Sequence, residues 1–198
     1  MQIEKRGGML DPKDLDALEQ TLGLDRTCPE SVLEQGDLAQ DEFWMHQAQK
    51  LAAYSEQINE VPVGAVVVQD SRLIAVGWNA PILLNDPTAH AEIRALKMAG
   101  QVLGNYRLPE VTLYVTLEPC PMCAGAMVHA RVKRVVYGAA DLKTGAADSC
   151  FQLLQHPQLN HRAEVTGGVL SEACSQQMSG FFQRRRAEKK RQKQSTLI

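Results

Sequence analysis

Two short segments, far apart in the chain, constrain it more than anything else: Thr88-Ala89-His90-Ala91-Glu92 and Glu118-Pro119-Cys120-Pro121-Met122-Cys123. Alone, each half is weak. A C-x-x-C pair also serves redox motifs and structural zinc sites, and H-x-E arises by chance. Together, in order and each opening a helical pattern, they describe a zinc site with ligands His90, Cys120 and Cys123 and a carboxylate, Glu92, beside it. Structural zinc usually closes with a fourth protein ligand. Catalytic zinc keeps one position open, where bound water reaches a pKa of about 7. No second C-x-x-C and no C-x-x-H is present, so the pattern is that of an open site.

The spacing carries a geometric condition. Glu92 is two residues from His90, about 200° around a helix, so the two share a face only where coil enters helix. Asp86-Pro87-Thr88 offers start chemistry there, and Pro121 suits the first position of a second helix. Both cysteines then lie near the positive end of a helix dipole, which favours the thiolate. A redox pair or a structural zinc for the cysteines, and solvated first-turn residues for His90 and Glu92, are the competing readings.

The rest of the chain supplies the setting. A length of 198 residues with 44% hydrophobic content suits one domain with a sizeable core. Residues 1–40 hold nine acids against four bases, whereas 184–193 hold seven bases against Glu188 alone. A basic end on a mildly acidic chain points to a polyanionic partner, although such a run also serves as a solvated helix face. Five cysteines at irregular spacing argue for reduced thiols in a cytoplasmic protein. No signal-type apolar segment and no membrane-length run is present. There is no phosphate-binding glycine loop, so no nucleotide cofactor is expected, and no nucleophile elbow.

Periodicity predicts an amphipathic helix over 38–58, with Trp44, Ala48, Leu51 and Tyr54/Ser55 on its apolar face. Strands follow at 62–69 and 73–78, joined as a hairpin by 70–72, then a loop over 79–86 and a helix over 89–99. A strand over 111–116 leads into the second motif and a helix to residue 129. A fourth strand covers 132–138, a loop-rich stretch with one short helix spans 139–162, a fifth strand covers 165–169, and a long helix runs from 171. Apolar runs such as V-V-V suit strands covered on both faces. These elements predict an α/β fold. Residues 1–37 read as a flexible or loosely docked extension holding one short helix, capped at Asp11 and stopped at Gly23. The catalytic domain is expected over 38–183 and a basic helix end and tail over 184–198.

The stretches VPVGAVVV, GWN, DPTAHAEIRAL, NYRL, TLYVTLEPCPMCAGAMVHARVKRVVYGA, DLKTGAADS, HPQLNHR and FFQRRR resemble the bacterial tRNA-specific adenosine deaminases of the cytidine-deaminase-like superfamily. The resemblance covers about residues 40–195. The zinc motif marks the superfamily; NYRL, KTGAA, the HPxLNH loop and the FFxxRR end narrow it to the tRNA enzymes. It implies a three-layer α/β/α fold around a central mixed sheet of about five strands. It implies one Zn²⁺ per subunit and hydrolytic conversion of adenosine to inosine at the wobble position of a tRNA anticodon, usually that of an arginine tRNA. Zinc-activated water would attack C6 while Glu92 shuttles protons. A homodimer is expected from the family.

Substrate contacts carry over residue by residue. Asn79 matches the asparagine that bonds the flipped base, and the Ala91 N–H the donor that fixes it. Asp141 matches an aspartate at the substrate mouth, suited to a sugar 2′-OH; before it stands Ala140 where a basic residue is sometimes found. His156 and Asn160 match a loop suited to splayed anticodon bases. Phe181 and Arg185 match the terminal aromatic and basic contacts. Each also has a plain structural reading, as turn, loop or helix residues. For Phe181 the helical spacing of Leu170, Cys174, Met178, Phe181 and Arg185 puts one phenylalanine in the core.

Two other functions share these features. One is a deaminase of a free base or nucleoside, of guanine or cytosine type, which has no need of a basic tail. The other is a non-catalytic, zinc-stabilised RNA-binding subunit, against which Glu92 itself argues.

Overall fold

The computed structural model describes residues 10–195; the first nine residues of the expected extension and the last three of the expected tail lie outside it. One mixed sheet holds β1 (Gly64–Gln69), β2 (Arg72–Trp78), β3 (Thr112–Leu117), β4 (Arg134–Ala139) and β5 (Glu164–Gly167), in the order β2-β1-β3-β4-β5. β1 is antiparallel to β2 and β3, and β3, β4 and β5 run parallel. The helices are α1 (Leu15–Leu22), α2 (Glu30–Leu33), α3 (Asp37–Gln57), α4 (Pro81–Leu84), α5 (Ala91–Leu103), α6 (Pro121–Ala130) and α7 (Ser171–Ser195).

Strand register shows how they layer. Gly64 meets α3 so closely that a Cβ there would sit 2.1 Å from the Ala48 carbonyl oxygen. Gly77 meets α5 in the same way, 2.0 Å from the Ala91 carbonyl oxygen. Gly77 pairs with Ala65, and Ala65 points to the opposite face from its neighbour Gly64. α3 and α5 therefore cover opposite faces. α7 packs on β4 and β3 beside α3, with Cys174 over Gly138, and α6 packs beside α5. The result is the three-layer α/β/α fold. Val66 and Val67 of β1, Leu113 of β3 and Val135 of β4 are fully enclosed, as apolar strands covered on both faces require.

Most elements follow the expected periods. Trp44, Ala48, Leu51, Tyr54 and Ser55 are all buried on α3. The hairpin turn is the pair Asp70-Ser71, both at positive φ (50° and 57°), a backbone that matches strand twist in tight hairpins. Two details differ. The loop expected over 79–86 contains α4, begun by Pro81 and ended by Asn85 in the left-handed region. Asp86 does not cap α5; its carboxylate instead accepts from the Thr88 N–H and hydroxyl within a turn, and α5 starts two residues later than expected.

The larger correction concerns the extension. Asp11 caps a short 3₁₀ turn at Pro12–Asp14 that feeds α1, and Gly23 ends α1 at φ 61°. Leu10, Leu15, Leu18, Leu24 and Cys28 all join the main core. The Leu73 N–H donates to the Arg26 carbonyl, the Cys28 N–H donates to the Ser71 carbonyl, and Thr27 bridges Arg72. Residues 26–28 thus cover the start of the open edge of β2, which would otherwise invite pairing with another chain. Behind them, buried Gln47 of α3 accepts from the Asp25 N–H and donates to its carboxylate, at 3.0 Å each. Residues 10–36 are part of the folded body, because their leucines at i, i+3 spacing bury one face and their backbone satisfies an edge strand.

Leu18→Ala should lower the free energy of unfolding by about 2–5 kcal/mol, measured by urea denaturation, as for other fully buried leucines. A change near zero would mean that the extension contributes nothing to the fold.

Candidate active site

A cavity of about 640 Å³ opens at the carboxyl ends of β3 and β4, where ligands of open α/β sheets tend to bind. Two helices begin at its floor. His90 is the N-cap residue of α5, in extended backbone (φ −75°, ψ 153°). Because it stands outside the helix, its ring and the Glu92 side chain of the first turn reach the same space. Cys120 is likewise the extended N-cap of α6, with Pro121 at the first helical position and Cys123 in the first turn. His90 Nδ1 lies 3.7 Å from Cys120 Sγ and 3.6 Å from Cys123 Sγ.

Those separations test whether zinc fits. Tetrahedral zinc with ligands at about 2.0–2.3 Å requires ligand atoms roughly 3.3–3.8 Å apart. The three donor atoms all lie within 4.8 Å of one another, the one such cluster among the described residues. The donor set, one imidazole and two sulfurs, is the chemistry that zinc prefers. His90, Cys120 and Cys123 are the residues to hold it.

The electrostatics agree. Donation from the Cys123 thiol, together with the nearby imidazole, brings Cys120 down to about 4, whereas the neighbouring Cys120 thiolate and burial push Cys123 upward. One thiolate therefore stands ready at the helix N-terminus. His90 is raised, first by its contact with Cys120. Glu92, only 4% exposed, is raised by burial. A raised carboxylate is a stronger base, as proton shuttling requires.

Around this centre the expected substrate residues separate. Asn79 lines the cavity, and its Oδ1 accepts from the Ala91 N–H at 2.9 Å. Since a backbone N–H donates there, the facing side-chain atom is the oxygen, and the amide NH₂ is the group left for a ligand. The Ala91 N–H, expected to meet the base, is directed at Asn79 in this structure. Asp141 also lines the cavity, but its carboxylate accepts from the N–H groups of Lys143 and Thr144 and from the Thr144 hydroxyl. It shapes the turn at the mouth. Those hydrogen bonds, with Lys143 nearby, hold it below the usual carboxylate range despite its partial burial.

His156 and Asn160 are not brought to the cavity. His156 Nδ1 accepts from the Gln158 N–H within the loop, and Asn160 Oδ1 accepts from Arg131 at 2.5 Å, tying the loop to the end of α6. Phe181 is 4% exposed and lines an adjoining groove but not the cavity; its neighbour Phe182, 41% exposed, lines both. The helical spacing through Cys174, Met178 and Phe181 already marked the buried side. Arg185 sits in an adjoining groove with Phe182, paired with Glu188 at 3.2 Å.

Glu118 is the residue the sequence reading passed over. It lines the cavity, is 2% exposed, and accepts hydrogen bonds from residues 141–149. Burial pushes its pKa up, but donation from Ser149, Asp148 and Asp141 outweighs it and keeps the group ionised. Its signal was an acid standing immediately before Pro119-Cys120, at a strand end.

The chain matches the MafB19-like deaminase family model over residues 39–186. It is 55% identical over 154 residues to the tRNA-specific adenosine deaminase of Haemophilus influenzae, covering 77% of this chain and 89% of that protein. To the tRNA-specific adenosine deaminase of Bacillus subtilis it is 46% identical over 77% of this chain and 95% of that protein. The chain belongs to this deaminase family. A solved structure from a study of A-to-I editing by tRNA:A34 deaminases superposes with a TM-score of 0.66 at 43% identity, covering 68% of this chain and 97% of that one. The guanine deaminase of Nitrosomonas europaea shares the fold at 22% identity, with a TM-score of 0.63 over 80% of this chain and 95% of that one.

Glu92→Ala should leave about one zinc per chain while lowering turnover by roughly 100- to 10,000-fold. Cys123→Ala should lose the metal. Metal analysis by mass spectrometry alongside a deamination assay checks both; equal loss of metal in the two variants would place Glu92 among the ligands.

Proposed function

We propose that this chain is a zinc-dependent hydrolase that converts adenosine to inosine at the wobble position of a tRNA anticodon, an arginine tRNA being the expected substrate. The observation that carries the reading is the meeting of His90, Cys120, Cys123 and Glu92 on one cavity floor, in a chain 55% identical to a tRNA-specific adenosine deaminase.

When held by His90, Cys120 and Cys123, zinc supplies a water acidic enough to act as a nucleophile at neutral pH. The protein does the rest. Glu92 accepts the proton from the water as the C6–O bond forms, and delivers it to the adjacent ring nitrogen. It then takes the remaining proton from the new C6 hydroxyl and transfers it to the exocyclic amine as the C6–N bond breaks, so that ammonia leaves and a carbonyl remains. Its raised basicity suits both transfers. The Asn79 amide NH₂ offers a donor to an acceptor on the base edge, and its locked Oδ1 fixes the orientation of that amide. Phe182 offers an aromatic wall at the mouth, and bases splayed from an RNA loop stack on such faces.

The surrounding surfaces suit an RNA. Arg185, Arg186 and Lys189 line the groove that adjoins the cavity, and such side chains track phosphate. An apolar groove between α5 and α6, lined by Ile93, Leu96, Tyr106 and Ala126, supports a homodimer formed through this face, each subunit carrying one zinc. Among the described residues no helix is long and apolar enough to cross a membrane, and five free cysteines suit a cytoplasmic enzyme.

Incubation with bulk tRNA from the source cell, followed by sequencing for adenosine-to-inosine changes, tests the reading, with Glu92→Ala as the control. Inosine confined to an anticodon wobble position is expected. Turnover of free adenosine, guanine or cytosine without any change in tRNA would replace the reading with a small-molecule deaminase.

A further inference from the structure

Glu118 occupies an unusual position. It is the residue between the end of β3 and the Pro119-Cys120 turn, and its own N–H donates to the Ala139 carbonyl at the end of β4. Its side chain then serves as a hub. Oε1 accepts from the N–H groups of Ala147, Asp148 and Ser149, at 3.1, 2.8 and 2.9 Å. Oε2 accepts from the Asp141 N–H at 2.9 Å and from the Ser149 hydroxyl. A carboxylate has about four lone-pair sites, so these donors saturate it.

The chain from 141 to 149 is wrapped around that one group. The Gly145 N–H closes onto the Asp141 carbonyl and the Ala146 N–H onto the Pro119 carbonyl, both at 2.8 Å. At the centre of the wrap, Gly145 leaves the space that the carboxylate fills: a Cβ there would stand 2.3 Å from the Glu118 carboxyl carbon. The same segment supplies Asp141, Lys143 and Thr144 to the cavity wall. Glu118 therefore ties the turn that carries a metal ligand to the wall that a substrate meets, without itself lying among the ligands.

We propose that Glu118 is a positioning residue for the nucleic-acid substrate, holding the 141–149 wall in the shape that receives the RNA. The proposal rests on the RNA reading above for its substrate, and on the hydrogen-bond hub for its mechanism. An amide in place of the carboxylate would turn an NH₂ toward backbone N–H groups that need an acceptor. The wall would loosen, while the metal cluster, built from His90, Cys120 and Cys123, would keep its donors.

The experiment compares the parent enzyme with Glu118→Gln and with Ser149→Ala, which removes a single donor. It measures zinc per chain, the rate of tryptic cleavage after exposed Lys143, and KM and kcat on an anticodon stem-loop RNA. For Glu118→Gln we expect full zinc, cleavage after Lys143 and KM each raised about tenfold, and kcat within about threefold of the parent, the pattern of lost binding rather than lost chemistry. Ser149→Ala should move cleavage and KM in the same direction by about two- to threefold. Unchanged cleavage and KM in Glu118→Gln would overturn the proposal, as would a loss of zinc with KM unchanged, which would assign Glu118 to the metal turn. If Glu118→Gln does not fold, Ser149→Ala decides: no change in its cleavage or KM overturns the proposal. No turnover of RNA by the parent enzyme would refute the substrate reading separately, and cleavage after Lys143 would still decide whether Glu118 anchors the wall.

Discussion

The start of two helices at one point is the constraint on which the rest of this structure depends. Three donor atoms suited to one metal ion meet there, 3.6 and 3.7 Å from His90 Nδ1 to the two sulfurs, and they come from two segments 30 residues apart in sequence. The fold meets this by ending a loop and a strand in the same crevice, each in an extended N-cap residue, His90 and Cys120. An N-cap side chain stands free of the helix and points back over its end, so two such residues can face each other. The helix termini also favour the thiolates that the metal requires. Everything that fixes α5 and α6 against the sheet, beginning with the close seat of α5 on Gly77, therefore also fixes the metal geometry.

Rigidity is provided from the opposite end of the sheet. Arg134 at the start of β4 forms a two-pronged pair with Asp41 of α3, at 2.7 and 2.6 Å, and its second prong also donates to Thr166 of β5. The Tyr114 hydroxyl donates to the same Asp41. This joins α3, β3, β4 and β5 in one polar cluster remote from the cavity. The Tyr114 hydroxyl is held protonated by burial and by the Asp41 carboxylate beside it, while Asp41 keeps Arg134 charged. A largely buried pair of this kind adds little net stability over apolar packing, but removing one partner costs about 3–5 kcal/mol because it strands the other. It is better understood as a device that sets the register of α3 on the sheet.

What was legible in the sequence was whatever depends on local pattern. The β-branched run at Val66–Val68, the α3 stripe and the two motif turns each follow from a period or from a residue's own backbone preference. The site was legible to the depth of the His90, Cys120 and Cys123 cluster and the buried Glu92 beside it, because those chemistries require particular residue types at particular spacings. Beyond that depth the outcome was decided by contacts between distant segments. Ala91 is engaged because Asn79, twelve residues earlier, reaches its N–H. Phe181 and Phe182 differ only in helical phase, and which of them faces the cavity depends on how α7 lies on β4. The extension reads as acidic and weakly patterned, yet its leucines join the core and the backbone of residues 26–28 pairs with the β2 edge; nothing in its own composition shows that an edge strand waits there.

The division between a shared centre and a variable wall follows from the same physics. On the proposed reading, the metal cluster and Glu92 would serve any exocyclic amine on an aromatic ring, so they would not distinguish one base from another. The guanine deaminase neighbour has the same layered fold at 22% identity. Discrimination would then come from what surrounds the centre: the amide orientation of Asn79, the Phe182 wall, the basic groove along α7, and the 141–149 segment. Three of these depend on elements added after the second motif. The long α7 brings Phe182 to the mouth and Arg185 to the adjoining groove, while Glu118 gathers the 141–149 segment against the turn that bears Cys120. A substrate large enough to touch all of them reads the arrangement as a whole. A free base, confined to the cavity floor, would leave the groove along α7 unused, and that unused surface is the physical argument for a polymeric substrate.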